Sequence, residues 1–480
     1  MERPVITPAA MRTAEAKVIA DGTQGYLLMR RAGEAVAAHL QSWFPDGPVR
    51  ILCGPGGNGG DGFVAARALS VLGRDVRVFC SVDRAALKGD AALAAADWND
   101  EIASLEDAVS AEGDVTLDAL FGSGLARRLS GAAAELASQS GPVVSVDVPS
   151  GVDGLTGRAR GPAFQANFTV TFAALRPAHV LVPGRSRCGQ VAIADIDVPI
   201  IDMTGENVPA DWMDDLPWPV DETHKHARGR LVVVAGGLAQ TGAARLAARA
   251  GLRAGAGLVT LLCPPSATLA VASQVTAEMV QAFSAPEELR MDAEDADTIV
   301  IGPAAGVSIE TRENVLAALA SPARCVLDAD ALSVFQDEPG ELFAELRAFD
   351  VLTPHPGEFR RLFGTLEADS ENRIEAARTA AARAGCVVLL KGADTVIACP
   401  DGRARINTHA TPWLATAGSG DVLSGVIGGL LAQGMDSFDA ACAAAWMHGD
   451  AARRFGPGLI ATDLESQLPR VLGDLMALEP

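Results

Sequence analysis

Taken only as a pattern of apolar and polar positions, the chain alternates short apolar runs with stretches in which apolar residues recur three and four apart, which predicts strands and helices in turn. Helical spacing covers 8–41, broken at Asp21 and Gly22. Apolar runs at 49–53, 76–80, 115–121 and 142–148 predict strands, with a helix over 63–72. A second series of runs follows at 231–235, 258–262, 298–301, 325–328, 351–353 and 386–390, with an alanine-rich helix over 241–254. Near the C-terminus, Val422, Leu423, Val426, Ile427, Leu430 and Leu431 mark a helix with one buried face. The two series are separated by a proline-rich, acidic stretch without sustained period, so the expected organisation is a first domain over 1–205, a linker over 206–223 and a second domain over 224–480. Each domain is expected to be a three-layer α/β/α unit.

Chemistry gathers at the ends of these runs. The segment Asn407-Thr-His-Ala-Thr-Pro-Trp-Leu-Ala-Thr-Ala-Gly-Ser-Gly-Asp421 opens the last-named helix. Its free N–H groups and positive dipole end suit an anionic oxygen, and Gly418 and Gly420 let a phosphate approach the backbone. Asp421 can cap the helix or take a proton from an attacking hydroxyl; this stretch alone leaves both open.

The first strand runs into Gly54-Pro-Gly-Gly-Asn-Gly-Gly-Asp-Gly62, a strand, glycine loop and helix as in a nucleotide-binding sheet. Gly54, Gly56 and Gly59 fit G-x-G-x-x-G, a weak signal, and the next strand does not end in the acidic residue that would hold a ribose. Asn58 and Asp61 inside the loop read by themselves as turn residues, although an amide oxygen and a carboxylate there can also ligate a hard cation. Two further strand ends carry oxygen donors: Asp118, with Gly122-Ser-Gly-Leu-Ala-Arg-Arg128 after it, and Asp147 with Ser150. Parallel strands bring their C-terminal ends to one edge, where open α/β sheets bind ligands. Three loops of this kind point to a site containing Asn58, Asp118, Asp147 and Ser150, with Arg127 and Arg128 near for phosphate.

Composition narrows the partners. With 60 acidic against 39 basic residues, a net charge of −21 and no basic block, the chain offers no surface for nucleic acid or an anionic membrane. The 8 cysteines are scattered, without a C-x-x-C pair, as in a reduced intracellular protein. No apolar run approaches the roughly 18 residues of a membrane span and no signal segment is seen, so a cytoplasmic address is expected.

The three motifs Gly54–Gly62, Asp118-Ala-Leu-Phe-Gly-Ser-Gly124 and Asp147-Val-Pro-Ser-Gly-Val-Asp-Gly154 resemble the NAD(P)H-hydrate epimerase family over about 6–199. Thr171-Phe-Ala-Ala-Leu-Arg-Pro-Ala-His179 resembles that family's late strand and loop. The resemblance implies a Rossmann-like epimerase domain with potassium at Asn58, Asp118 and Ser150. It implies hydrate binding by Gly57, Asn58, Gly59, Gly60 and Asp61, by Gly122, Ser123, Gly124, Leu125, Ala126, Arg127 and Arg128, and by Asp147. Asp147 is then the candidate that gives and takes a proton. One departure is Met29-Arg-Arg-Ala-Gly33, where an acidic residue commonly follows the Met.

The second half resembles the ADP-dependent NAD(P)H-hydrate dehydratase family, of ribokinase-like fold, through Thr353-Pro-His-Pro-Gly-Glu358, Leu390-Lys-Gly-Ala-Asp-Thr395, 407–421 and Ala445-Trp-Met-His-Gly449. That likeness implies nucleotide binding by Lys391, Gly392, Ala393, Asp394, Thr395 and Gly420, and hydrate contacts at Ala243, Gly306, His355 and Asp421. Asp421 becomes the expected base, with magnesium and ADP in the site. The family's G-P-G-L-G reads Gly302-Pro-Ala-Ala-Gly306 here. The expected substrates are NADHX and NADPHX, the expected assembly a homo-oligomer. An ordinary small-molecule kinase joined to a non-catalytic binding module is the alternative.

Overall fold

The computed structural model describes residues 3–111, 113–125, 127–202 and 204–478. The chain forms two compact units, which divide after Asp202.

In the first unit seven strands form one parallel sheet: β1 (Val49–Cys53), β2 (Val76–Cys80), β3 (Ile102–Ser104), β4 (Val115–Ala119), β5 (Val143–Val146), β6 (Phe168–Phe172) and β7 (Gln190–Ala194), in the order β3-β2-β1-β4-β5-β6-β7. The crossover lies between β1 and β4, whose register sets Leu52 beside Asp118. The glycine segment predicted as a loop is mostly helix. The helix Gly57–Val71 begins inside it, because its glycines are needed for packing. A Cβ on Gly54 would lie 1.7 Å from the Leu120 carbonyl oxygen, and one on Gly59 would lie 1.8 Å from that of Gly54. Only bare backbone lets this helix start so close to the strand ends.

The second unit holds a ten-stranded sheet: β8 (Thr204–Glu206), β9 (Arg230–Val234), β10 (Leu258–Cys263), β11 (Met279–Ala282), β12 (Thr298–Ile301), β13 (Arg324–Leu327), β14 (Val351–Leu352), β15 (Val387–Leu390), β16 (Thr395–Ala398) and β17 (Ala404–Asn407). The order is β11-β10-β9-β12-β13-β14-β15-β16-β17-β8, parallel from β11 to β15, then antiparallel through β16 and β17. The helix Ser419–Ala432 packs against Gly242–Ala254 through small residues: a Cβ on Gly425 would lie 2.1 Å from the Ala247 carbonyl oxygen, and one on Gly429 would lie 2.5 Å from that of Gly251. The glycines of Val422–Ala432 therefore draw two helices together and fix the start of the helix that carries Asp421.

The expected linker is corrected. Residues 204–223 belong to the second unit: β8 pairs with β17, and Trp212, 1 % exposed, and Leu216 sit in its main core. Trp212 Nε1 donates to Asn207 Oδ1 at 3.0 Å, and Asn207 Nδ2 donates to the Cys442 carbonyl at 2.8 Å. Proline and acidic composition hid a segment that packs Trp212, Met213, Leu216 and Trp218 on the core of the second unit. All 8 cysteines are free, seven of them buried. Among the described residues no helix is long and apolar enough to cross a membrane.

Candidate active sites

In the first unit a cavity of about 590 Å³ opens at the carboxyl edge of the sheet, between the helix Pro8–Ala20, the first turn of Gly57–Val71 and the loops after β4, β5 and β6. Asp147 follows β5 with φ 63°, a left-handed conformation costly for a residue with a side chain and found most at functional turns. Its Oδ2 accepts from the Ser123 N–H at 2.7 Å and its Oδ1 from the Thr171 hydroxyl at 3.2 Å, with Arg176 Nε 3.5 Å away. Burial alone would raise this carboxyl, but the Arg176 guanidinium and the Ser123 donors more than offset it and hold it below the ordinary range. The His179 ring supports the turn from behind. Its Nδ1 accepts from the Arg176 N–H at 2.9 Å, so Nε2 carries the proton donated to the Asp147 carbonyl at 2.7 Å. Burial pushes His179 down to about 4, so it stays neutral.

Asp118 is fully buried behind this pocket. It accepts from the Ser150 N–H at 2.8 Å, the Ser150 hydroxyl at 2.6 Å and the Ser145 hydroxyl at 3.0 Å, and burial pushes it up to about 6. Ser150 Oγ also accepts from the Phe121 N–H at 2.9 Å, tying the loops after β4 and β5 together. Asn58 Nδ2 donates to the Val146 carbonyl at 2.9 Å. Its Oδ1 is left facing Gly122, where an added Cβ would lie 2.6 Å from it and 2.8 Å from Asp147 Oδ2.

In the second unit Asp421 stands on the first turn of Ser419–Ala432, behind Gly418 at φ 87°. Lys391, at the end of β15, donates to Asp328 Oδ1 at 2.6 Å, and the Ser424 hydroxyl donates to Asp328 Oδ2 at 2.6 Å. A Cβ on Gly420 would lie 3.5 Å from Lys391 Nζ, so the bare backbone of that turn lies open beside the ammonium. Burial first, then the Asp328 charge, pushes Asp421 up to about 6 against the pull of Lys391. Despite burial, the carboxylates of Asp328, Glu358 and Asp421 raise Lys391, which therefore stays charged. His355 is the N-cap of Pro356–Phe363: its Nδ1 accepts from the Gly357 N–H at 2.9 Å, and its ring remains half exposed.

The expected site residues separate into groups. Gly57, Asn58, Asp61, Gly122, Ser123, Gly124, Leu125, Arg127 and Asp147 line the N-terminal cavity. Gly59 and Gly60 instead face inward, Gly60 against Met29, and Arg128 lies along Gly161. Ala126 lies outside the described residues. In the second unit Gly392 and Ala393 are exposed, whereas Asp394 and Thr395 are buried. Thr395 accepts from the Gly392 N–H at 3.1 Å, and Arg373 lies 3.7 Å from Asp394 while donating to the Lys391 carbonyl at 2.5 Å, so these residues shape the turn. The Gly306 N–H donates to Asp330 at 2.8 Å, and Ala243 sits in the first turn of Gly242–Ala254. Ala304 adopts φ 52°, which glycine would adopt without strain, with its carbonyl packed against Gly236. Sequence reading passed over Arg12 and Glu15, which also line the first cavity. The available signal was a carboxyl four residues after buried Met11, on the same helix face.

Two units, one on a parallel and one on a mostly parallel sheet, each with charged side chains and a helix start at its carboxyl edge, define a two-domain α/β enzyme. A ribokinase-like superfamily protein from Enterococcus faecalis covers 58 % of this chain and 98 % of its own, with 24 % identity and a TM-score of 0.52, a likeness of fold. The family model for NAD(P)H-hydrate dehydratase matches residues 231–470, and that for the YjeF-related protein N-terminus matches 25–178. The bifunctional NAD(P)H-hydrate repair enzyme Nnr of Moorella thermoacetica is 36 % identical, covering 94 % of this chain and 92 % of its own. That of Escherichia coli is also 36 % identical, covering 93 % and 89 %. The chain belongs to the family of bifunctional NAD(P)H-hydrate repair enzymes, which join an epimerase to a dehydratase.

Proposed function

We propose that the first unit interconverts the R and S hydrates of NADH and NADPH at the Asp147 pocket, and that the second dehydrates the S form with ADP, releasing AMP and phosphate. The hydrate carries water added across a ring double bond. In the second unit Asp421 takes the proton of that hydroxyl as it attacks the β-phosphate of ADP. The N–H groups of the Gly418–Asp421 turn and Lys391 face the charge that develops on the transferred group. Phosphate then leaves, driven out by the ring nitrogen, and the double bond returns. The observation that carries this reading is the Asp421 carboxylate on a glycine-opened helix start beside a partly buried, charged lysine. Incubation with ADP and hydrated NADH tests it: the reduced-nicotinamide absorbance recovers, whereas a stable phosphorylated product would make the unit a kinase.

Magnesium would be held chiefly by the nucleotide's own phosphates, since among the described residues no three His, Cys, Asp or Glu gather as a metal site. Potassium fits the first unit. Asp118 is a fully buried carboxylate whose partners are hydroxyls and N–H groups, with no arginine or lysine pairing with it among the described residues. A monovalent cation held by Asp118, Asn58 Oδ1 and Ser150 would balance that charge. Asp118→Asn is expected to raise the potassium concentration needed for half-maximal epimerisation by at least about tenfold, measured by titrating the salt with the dehydratase rate as reference.

A further inference from the structure

We infer that Glu15 is the group that hands a proton to the substrate's hydroxyl in the N-terminal pocket, with Asp147 as a fixed negative charge beside it; this rests on the epimerase reading above. The helix Pro8–Ala20 is anchored at its start by Thr7, whose hydroxyl accepts from the Ala10 N–H at 3.1 Å, and by Met11, buried in the core. One turn on, Glu15 opens into the same cavity as Asp147. It makes no hydrogen bond or ion pair with any described residue, whereas both oxygens of Asp147 already accept a hydrogen bond.

A carboxylate so well satisfied is a poor proton donor. The charged groups on this cavity are Arg12 from the same helix, Asp61 from Gly57–Val71, Arg127 after β4, Asp147 after β5 and Arg176 after β6. Burial raises Glu15; Arg176 pulls it down and Asp147 pushes it up, for a net rise. Two carboxyls in one pocket whose environments drive them apart divide into a proton carrier and a permanent anion. Burial also pushes Asp61 well above the ordinary carboxyl range, but its side chain is nearly sealed from water. Partly exposed Glu15 can be reloaded from water.

The step conserves atoms and electrons. The Glu15 proton goes to the hydroxyl oxygen as the C–O bond breaks, the ring nitrogen lone pair forms a C=N bond, and water departs. Water then adds to the opposite face, the C=N pair returns to nitrogen, and the released proton goes back to the Glu15 carboxylate. Asp147 faces the transient cationic ring.

The test uses the full chain and the separated hydrate epimers without ADP, with S-hydrate dehydration with ADP as the measure of active chain and the denaturation midpoint of the first unit as the control of its fold. Glu15→Gln is expected to lower kcat for interconversion about 10²–10⁴-fold with KM and dehydratase rate unchanged, and Glu15→Asp to retain activity with a shifted alkaline limb. Interconversion by Glu15→Gln within about threefold of wild type, or a loss confined to KM, overturns the assignment. So does loss of activity in Asp61→Asn alone. If Asp147→Asn also matches wild type, the epimerase reading of the pocket fails; if Asp147→Asn is inactive while Glu15→Gln is not, only the role of Glu15 falls.

Discussion

Asparagine at position 421 is expected to lower ADP-dependent recovery of NADH from its S hydrate by about 10²–10⁴-fold while epimer interconversion on the same chain continues. Asn keeps the size of the side chain but cannot take a proton, so the loss measures the base and not the packing of the helix. The wild-type pH profile is the companion measurement. A base works when ionised, and burial and Asp328 hold Asp421 at about 6. In kcat/KM, which reports the free enzyme, dehydration is therefore expected to be level above that value and to fall about tenfold per unit below it. Removing the neighbouring negative charge with Asp328→Asn should move that limb to lower pH. A profile that is flat down to pH 4.5 or so, or an Asp421→Asn variant of wild-type rate, would leave Asp421 as a helix cap.

The second large effect is on stability. Trp212→Ala is expected to destabilise the second unit by about 3–5 kcal/mol, the usual cost of emptying a buried aromatic site, and to leave Asn207 without its indole partner. Chemical denaturation followed through dehydratase activity and through epimerase activity reads the two units apart. Dehydratase activity should be lost at lower denaturant and the epimerase midpoint should hold. Equal midpoints with wild type would mean that residues 204–223 carry no weight in the second unit.

That segment also marks where the sequence was hardest to read. The strands beside the sites were legible because parallel strands are apolar on both faces and each ended in a loop with Asp, Asn or Gly. Short or weakly apolar strands were not: β3 has three residues, and β16 and β17 form a hairpin between the motifs at 390–395 and 407–421. The first turn of Gly57–Val71 was taken for a loop because glycine is a poor helix former; close packing on Leu120 and Gly54 overrides that preference. Asp147, Ala304 and Ala329 take positive φ without being glycine, and no local pattern announces this. The chemistry of single residues was clearer than their company. Asp421 and Lys391 could be picked out alone, but Asp328, which accepts from both Lys391 and Ser424 and so joins the lysine to the helix of Asp421, lies 63 and 96 residues from them along the chain.

The place of β8 at the end of the ten-stranded sheet has a practical consequence. A fragment cut to start at residue 224, where the sequence motifs of the second half begin, would uncover the flank of β17 and present unpaired N–H and C=O groups to other molecules. Such a piece should self-associate at concentrations where one starting near 200 stays dispersed, so the safe cut lies upstream of the recognisable homology.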